Sequence, residues 1–286
     1  MWKAYFNLIK PGIIFGNLIT AISGFFIGSK GPFDEKKFLF MALGLSLIIG
    51  SSCVMNNYFD RRIDQEMKRT QNRPFVTKHI SSVKGISYAI CLLIIGSFLL
   101  FSEVNLLALT AGLLGFFIYV FIYTPLKKRS IYSTMIGSVA GSMPPLVGYL
   151  AASDQLDQMA ILLFLFVAFW QMPHFYAIAL YRKDEYEAAK IPTLPIVKGV
   201  YRTKIEMIIF TALFFIVSLS FYFFGYNSYF YLGLALSLGS LWLKIAYEGF
   251  FQKEEGMWAK KMFRMSLIIL MILSIVIPID QKFFNY

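Results

Sequence analysis

A chain of 286 residues with 58% hydrophobic side chains and a mean hydropathy of +0.63 is too apolar to be a soluble domain. Its formal charge of +11 suggests an anionic partner, but the basic residues are strung between apolar runs, which argues against a nucleic-acid-binding module. Its two cysteines, Cys53 and Cys91, lie inside apolar runs and read as small buried hydrophobes, which excludes a disulfide scaffold.

Residues 1–10 read as a short interfacial helix with Trp2 and Tyr5 at headgroup level. Pro11–Ser29 has the length of a signal peptide, yet no small-residue cleavage site follows, so it reads as a retained first helix. Charge-free runs long enough to span a bilayer follow at Phe38–Phe59, Gly85–Ser102, Val104–Leu126, Ser130–Ser153 and Gln158–Tyr181. Met207–Leu243 is too long for one helix and breaks at Gly225-Tyr226-Asn227-Ser228. Met262–Ile279 is the last span, with Arg264 near its start able to snorkel. The expectation is an all-α polytopic membrane protein of about nine transmembrane helices, one domain over residues 1–286. The long loops after helices two and six suggest two weakly repeated four-helix halves plus a final helix.

Alternating the spans sorts the charge. Of 27 Lys and Arg, only Lys30, Lys36, Lys37 and Lys282 fall on one side, so the N-terminus and the long loops are expected on the cytoplasmic side.

The polar chemistry gathers on that side. Asn56, Asp60 and Asp64 stand at i, i+4 and i+8 and stack on one helix face where an apolar segment meets water. A solvated helix end is one reading. The other is magnesium, which favours carboxylate oxygens and shares them with substrate phosphates. Arg73 follows within Met67–Pro74. A second cluster, Arg182, Lys183, Asp184 and Glu185, opens the loop before Ile191-Pro192-Thr193-Leu194-Pro195. A third runs from Tyr123 to Lys127, Lys128 and Arg129. Acids mixed with Lys and Arg suit a metal that bridges carboxylates to a diphosphate while cations hold its other oxygens. Arg61, Arg62 and Lys127–Arg129 are also compatible with plain positive-inside anchoring. Inside helix six, Trp170-Gln171-Met172-Pro173-His174 places an imidazole within a span beside a helix-bending proline. His174 is either a hydrogen-bonded core residue or a ligand, and imidazole is a common axial ligand of haem iron. His79, in the basic loop, reads as surface.

Asn56-x-x-x-Asp60-x-x-x-Asp64 after an apolar helix, Tyr123-x-x-x-Lys127 and a later acidic cluster resemble the UbiA superfamily of intramembrane prenyltransferases. Within it, Asn56–Asp64 with Met67–Pro74, the segment Trp170–Phe175, and Asp184–Pro195 are similar to the protohaem IX farnesyltransferases. The family commonly has Asn-Asp where this chain has Asn56-Asn57, which removes one acidic ligand, and Gly where it has Lys190.

The resemblance implies a helical bundle with a lipid-facing cavity under a polar cap. It also implies an Mg-dependent transfer of farnesyl from farnesyl diphosphate to a vinyl group of haem B, with addition of water, giving haem O. Asp60, Asp64, Asn56 and Asp184 would hold Mg2+, with Glu185 assisting. Arg73, Arg182, Lys183 and Lys127 would bind the diphosphate beside Tyr123, and His174 would ligate or orient the haem. The implied setting is a bacterial cytoplasmic (inner) membrane, with a haem A synthase or oxidase assembly factor as further partner. Two alternatives stay open: a UbiA-type enzyme acting on an aromatic quinone precursor, and a secondary transporter. Acids gathered at one face rather than at the midplane speak against the transporter.

Overall fold

The computed structural model describes residues 2–284, and its helices appear where the apolar runs lie. A short helix α1 (Trp2–Leu8) precedes α2 (Pro11–Gly28), α3 (Glu35–Asp64) and α4 (Ser82–Glu103). The fourth span is α5 (Leu106–Phe117), a π turn at Ile118–Tyr123 and α6 (Thr124–Leu126). The fifth is split into α7 (Ser133–Gly141) and α8 (Met143–Ser153), and α9 (Gln158–Tyr181) is the sixth. Short helices α10 (Lys183–Ala188) and α11 (Leu194–Val197) lead to α12 (Gly199–Phe223), α13 (Tyr229–Glu248) and α14 (Glu255–Phe284). Among the described residues, 9 helical stretches are long and apolar enough to cross a membrane.

Local chemistry explains the ends. Asp34, Asn105 and Asp157 cap α3, α5 and α9, each side chain accepting a backbone N–H three residues on at 2.8–3.1 Å. Pro144 and Pro145 follow Ser142 and start α8 afresh, so the fifth span bends where the sequence reading has one run. The π turn precedes Pro125, which has no N–H to give, and Thr124 Oγ1 donates to the Tyr119 carbonyl at 2.8 Å. Helix α9, by contrast, runs unbroken through Pro173.

The spans pack as neighbours in sequence, α3 on α4 and α12 on α13, while α9 touches α12, α14, α7 and α8. This central place explains why most of α9 is buried. Helix α2 lies tightly against α8. A Cβ at Gly148 would fall 1.8 Å from the Ala21 carbonyl oxygen, and one at Gly24 2.1 Å from that of Pro145. Such backbone approach is how helices associate where lipid removes the hydrophobic drive.

One sequence expectation shifts. Cys53 is buried, but Cys91 is exposed, because α4 buries little beyond its α3-facing side and Cys91 points away. Trp2 is fully outward, whereas Tyr5 turns edge-on to Tyr88 of α4 at 5.1 Å.

Candidate active site

The last two turns of α3 carry the ladder, and the surrounding elements close over it. Asn56, Asp60 and Asp64 are only 3%, 2% and 4% exposed. A buried carboxylate is costly unless paired, and each acid has its cation. Lys127, just past α6, forms a short ion pair with Asp60 Oδ2. Arg73 Nη1 reaches both oxygens of Asp64 at 2.8 and 2.9 Å. The loop that brings it there is tied back by Thr70 Oγ1 donating to the Asp64 carbonyl at 3.1 Å.

A third cation enters from a place the sequence reading treats only as topology. Lys10 stands between α1 and α2 in a left-handed conformation, φ 52°, rare for a residue with a Cβ. That corner turns its side chain inward, and Nζ donates to Asn56 Oδ1 at 2.8 Å. Burial pulls its pKa down to about 8, as expected for an ammonium held away from water. Asn56 Nδ2 in turn donates to Thr124 Oγ1 at 3.1 Å, so Asn56 links Lys10 to the π turn before Lys127. The next residue, Asn57, has a different task. Its Nδ2 donates to the Leu8 carbonyl at 2.9 Å and fixes the α1 corner. An aspartate has no N–H to give, so this departure from the family pattern has a structural use.

Tyr123 stacks on Tyr119 at 5.2 Å, and Lys127 Nζ lies 5.8 Å from its ring centre. In the second cluster the structure favours Glu185 over Asp184. Glu185 faces Arg182 at 3.7 Å and Arg69 at 4.0 Å, and its buried Oε2 makes no hydrogen bond. Asp184 is exposed, and neither it nor Lys183 has a hydrogen bond or ion pair among the described residues. Tyr186, beside Glu185, is held above the usual phenol range by burial. His79 is exposed, as read.

Residues 17–268 match the UbiA prenyltransferase family. The chain is 46% identical over 280 residues to a protoheme IX farnesyltransferase of Protochlamydia amoebophila, covering 98% of this chain and 99% of that one. It is 42% identical to the protein of that name from Yersinia pseudotuberculosis serotype O:1b, covering 98% and 95%. The chain belongs to the UbiA prenyltransferase family. Two solved structures share its fold. One, described as a digeranylgeranylglyceryl phosphate synthase in membranes, superposes with a TM-score of 0.83 at 21% identity, covering 98% of each chain. The other, a UbiA homolog from Archaeoglobus fulgidus bound to GPP and Mg2+, gives 0.73 at 14%, covering 96% of this chain and 99% of that one.

For a prenyltransferase, the chemistry of the cap matters more than its number of acids. No group of three or more His, Cys, Asp or Glu side chains converges among the described residues. The donor set still fits a hard divalent ion. Asp60 Oδ1 is buried with no hydrogen-bond partner among the described residues, and it lies on the same helix face as two further oxygen donors. Lys127 and Arg73 pair with the two acids of the ladder and Lys10 with its amide, so the cap carries three cations beside two carboxylates.

Deeper in this prenyltransferase, His174 stacks on Trp170 with ring centres 4.6 Å apart and tilts against Phe263 of α14 at 4.8 Å. Its Nδ1 lies 2.7 Å from Ser266 Oγ, which itself donates to the Phe263 carbonyl at 2.6 Å. A carbonyl only accepts, so the hydroxyl proton is committed there and Nδ1 must carry the imidazole N–H. The lone pair therefore sits on Nε2, which has no partner among the described residues. Trp170 Nε1 secures the same turn of α14 by donating to the Ser266 carbonyl at 2.8 Å.

Proposed function

We propose that this protein transfers the farnesyl group of farnesyl diphosphate to a vinyl group of haem B, with addition of water, giving haem O. The observation that carries the reading is the cap: buried acids already matched by mobile cations at the mouth of an apolar bundle. The near-full-length relatives named protoheme IX farnesyltransferase supply the acceptor. The Archaeoglobus fulgidus homolog, bound to GPP and Mg2+, supplies the metal and the kind of donor.

Asn56, Asp60 and Asp64 would hold Mg2+, with Glu185, which faces Arg69, rather than the exposed Asp184 as the contribution of the second cluster. The ion would neutralise charge gathering on the leaving diphosphate. Lys127, Arg73 and Lys10 leave their carboxylate and amide partners and bind phosphate oxygens, with Arg182 and Lys183 at the rim. Tyr123 forms the wall beside Lys127. The C1–O bond of the farnesyl group then breaks in surroundings that hold little water, so the allylic cation survives until the vinyl group attacks. His174 faces the haem from α9. The charge split supports a cap and an N-terminus on the cytoplasmic side, and the setting in this reading is a bacterial inner membrane. A haem A synthase or oxidase assembly factor would take the product onward. Residues 1–286 act as one domain.

The test is purified protein in lipid nanodiscs with farnesyl diphosphate, Mg2+ and, in separate reactions, haem B or an aromatic quinone precursor. Farnesylated, hydroxylated haem formed only when Mg2+ is present is the expected product. Prenylation of the aromatic ring with haem untouched would overturn the reading.

A further inference from the structure

The cap leaves one part of the bundle unexplained. Gln171 lies in the middle of a membrane-spanning helix and is 6% exposed. Its Oε1 is buried and has no hydrogen-bond partner among the described residues. A buried amide oxygen without a partner is costly in an apolar interior. The fold nonetheless makes room for it. Gly141 closes α7 directly against it, and a Cβ at 141 would fall 2.2 Å from the Gln171 nitrogen and 2.4 Å from its oxygen. One turn nearer the cap on the same helix is His174, 9% exposed, with its Nε2 lone pair free.

Residues at i and i+3 are neighbours on a helix surface, their Cβ atoms about 5–6 Å apart. One water can bridge two polar tips so placed, and a buried water needs polar partners of this kind. The geometry points to a water site between Gln171 and His174, built for the water that adds to the acceptor, with His174 as the base. The inference rests on the haem-farnesylation reading above.

The depth fits that use. His174 lies seven residues before Tyr181, so about 10 Å of helix separate it from the cap end of α9. Farnesyl C1 hangs directly from the diphosphate, and the reacting vinyl group must touch C1. The haem iron lies half a macrocycle further from C1. A side chain one short span below the cap therefore meets the reacting edge before it meets the iron.

The step balances. The C1–O bond breaks and its electron pair leaves on diphosphate. The vinyl π pair makes the new C–C bond and leaves a cation on the vinyl carbon attached to the ring. The water oxygen closes on that carbon, and one of its protons passes to His174 Nε2. The imidazolium is held by Nδ1–H to Ser266 and returns its proton to water when the product leaves. Gln171 is a positioning residue. It fixes the water on the ring-side carbon, where otherwise the cation would lose a neighbouring proton and end as a diene.

Mass spectrometry of the product decides the matter. In whatever farnesylated haem Gln171→Met and His174→Gln still form, the ratio of hydroxylated product to product lighter by one water is expected to fall roughly ten-fold or more. Gln171→Glu keeps an oxygen at the site and should restore the hydroxylated product. Gly141→Ala should push the amide out of place and lower the ratio with every polar group retained. Fully hydroxylated product at the wild-type ratio in Gln171→Met and His174→Gln would overturn the inference and leave the farnesylation reading standing. Loss of the haem Soret signature in His174→Gln with a normal product ratio in Gln171→Met would also overturn it, in favour of iron ligation. A wild-type protein that makes no farnesylated haem would instead sink the reading beneath it.

Discussion

Asp60 and Asp280 are both almost fully buried carboxylates, 2% and 1% exposed, at the ends of different membrane-spanning helices. Their surroundings differ in kind. Asp280 on α14 has both oxygens engaged: it accepts from Asn227 Nδ2 at 2.9 Å, from the Ser228 backbone at 2.7 Å and from the Ser228 hydroxyl. Those bonds pin the turn between α12 and α13 to α14. Among the described residues Asp60 has one ion-pair partner, Lys127, and one oxygen with none. A buried acid whose hydrogen bonds are complete holds the fold together. One left incomplete beside a long, mobile cation is arranged to change partners.

Substitution should separate the two. Asp60→Asn removes the charge meant for the metal while Lys127, part-exposed, returns to water. Turnover should fall at least about a hundred-fold with the melting temperature near wild type, read by a product assay and a thermal-shift measurement on the same preparation. Asp280→Ala should do the reverse. It strands the Ser228 and Asn227 donors and lowers stability by about 1–3 kcal/mol, while activity per folded molecule stays close to wild type. Equal loss of activity in both would erase the distinction between them.

Lys10→Met sharpens the comparison from the cation side. Losing one charged contact to phosphate should raise the KM for farnesyl diphosphate roughly ten-fold, with a smaller change in kcat. An unchanged KM would leave Lys10 as a mere brace for Asn56. The smallest effect belongs to Asn57→Asp, which restores the family's commoner pattern. Without an N–H for the Leu8 carbonyl it should cost about 1 kcal/mol of stability and yield no gain in metal affinity, measurable by Mn2+ titration.

The spans were legible because lipid demands uninterrupted apolar runs, and the ladder was legible because helical spacing alone stacks Asn56, Asp60 and Asp64. What the sequence hid depends on distance along the chain or on backbone detail. Lys10 is 46 residues from Asn56 and looks like any charge on the positive side, though the Lys-Pro step opening the first span marks a fixed corner. Asp184 and Glu185 are adjacent and chemically alike, and only the turn of α10 decides which faces Arg69. Gln171 could have been noticed as a polar residue in mid-span. That Gly141 seats it could not, because the two meet only when α7 packs on α9. The π turn and the break at Ser142 had prolines beside them, but a proline alone does not say whether a helix bends, shifts register or, as at Pro173, runs on.

The most direct test of the whole account is the haem content of a bacterium lacking its own haem-farnesylating activity, supplied with this chain or with its Asp64→Asn variant. The account predicts that extracted haems from cells with the wild-type chain contain hydroxyethylfarnesyl haem by mass spectrometry, and that cells with an equal membrane level of the variant contain haem B alone. Farnesylated haem at equal levels in both would contradict the assignment of the ladder. Its absence from both would contradict the acceptor.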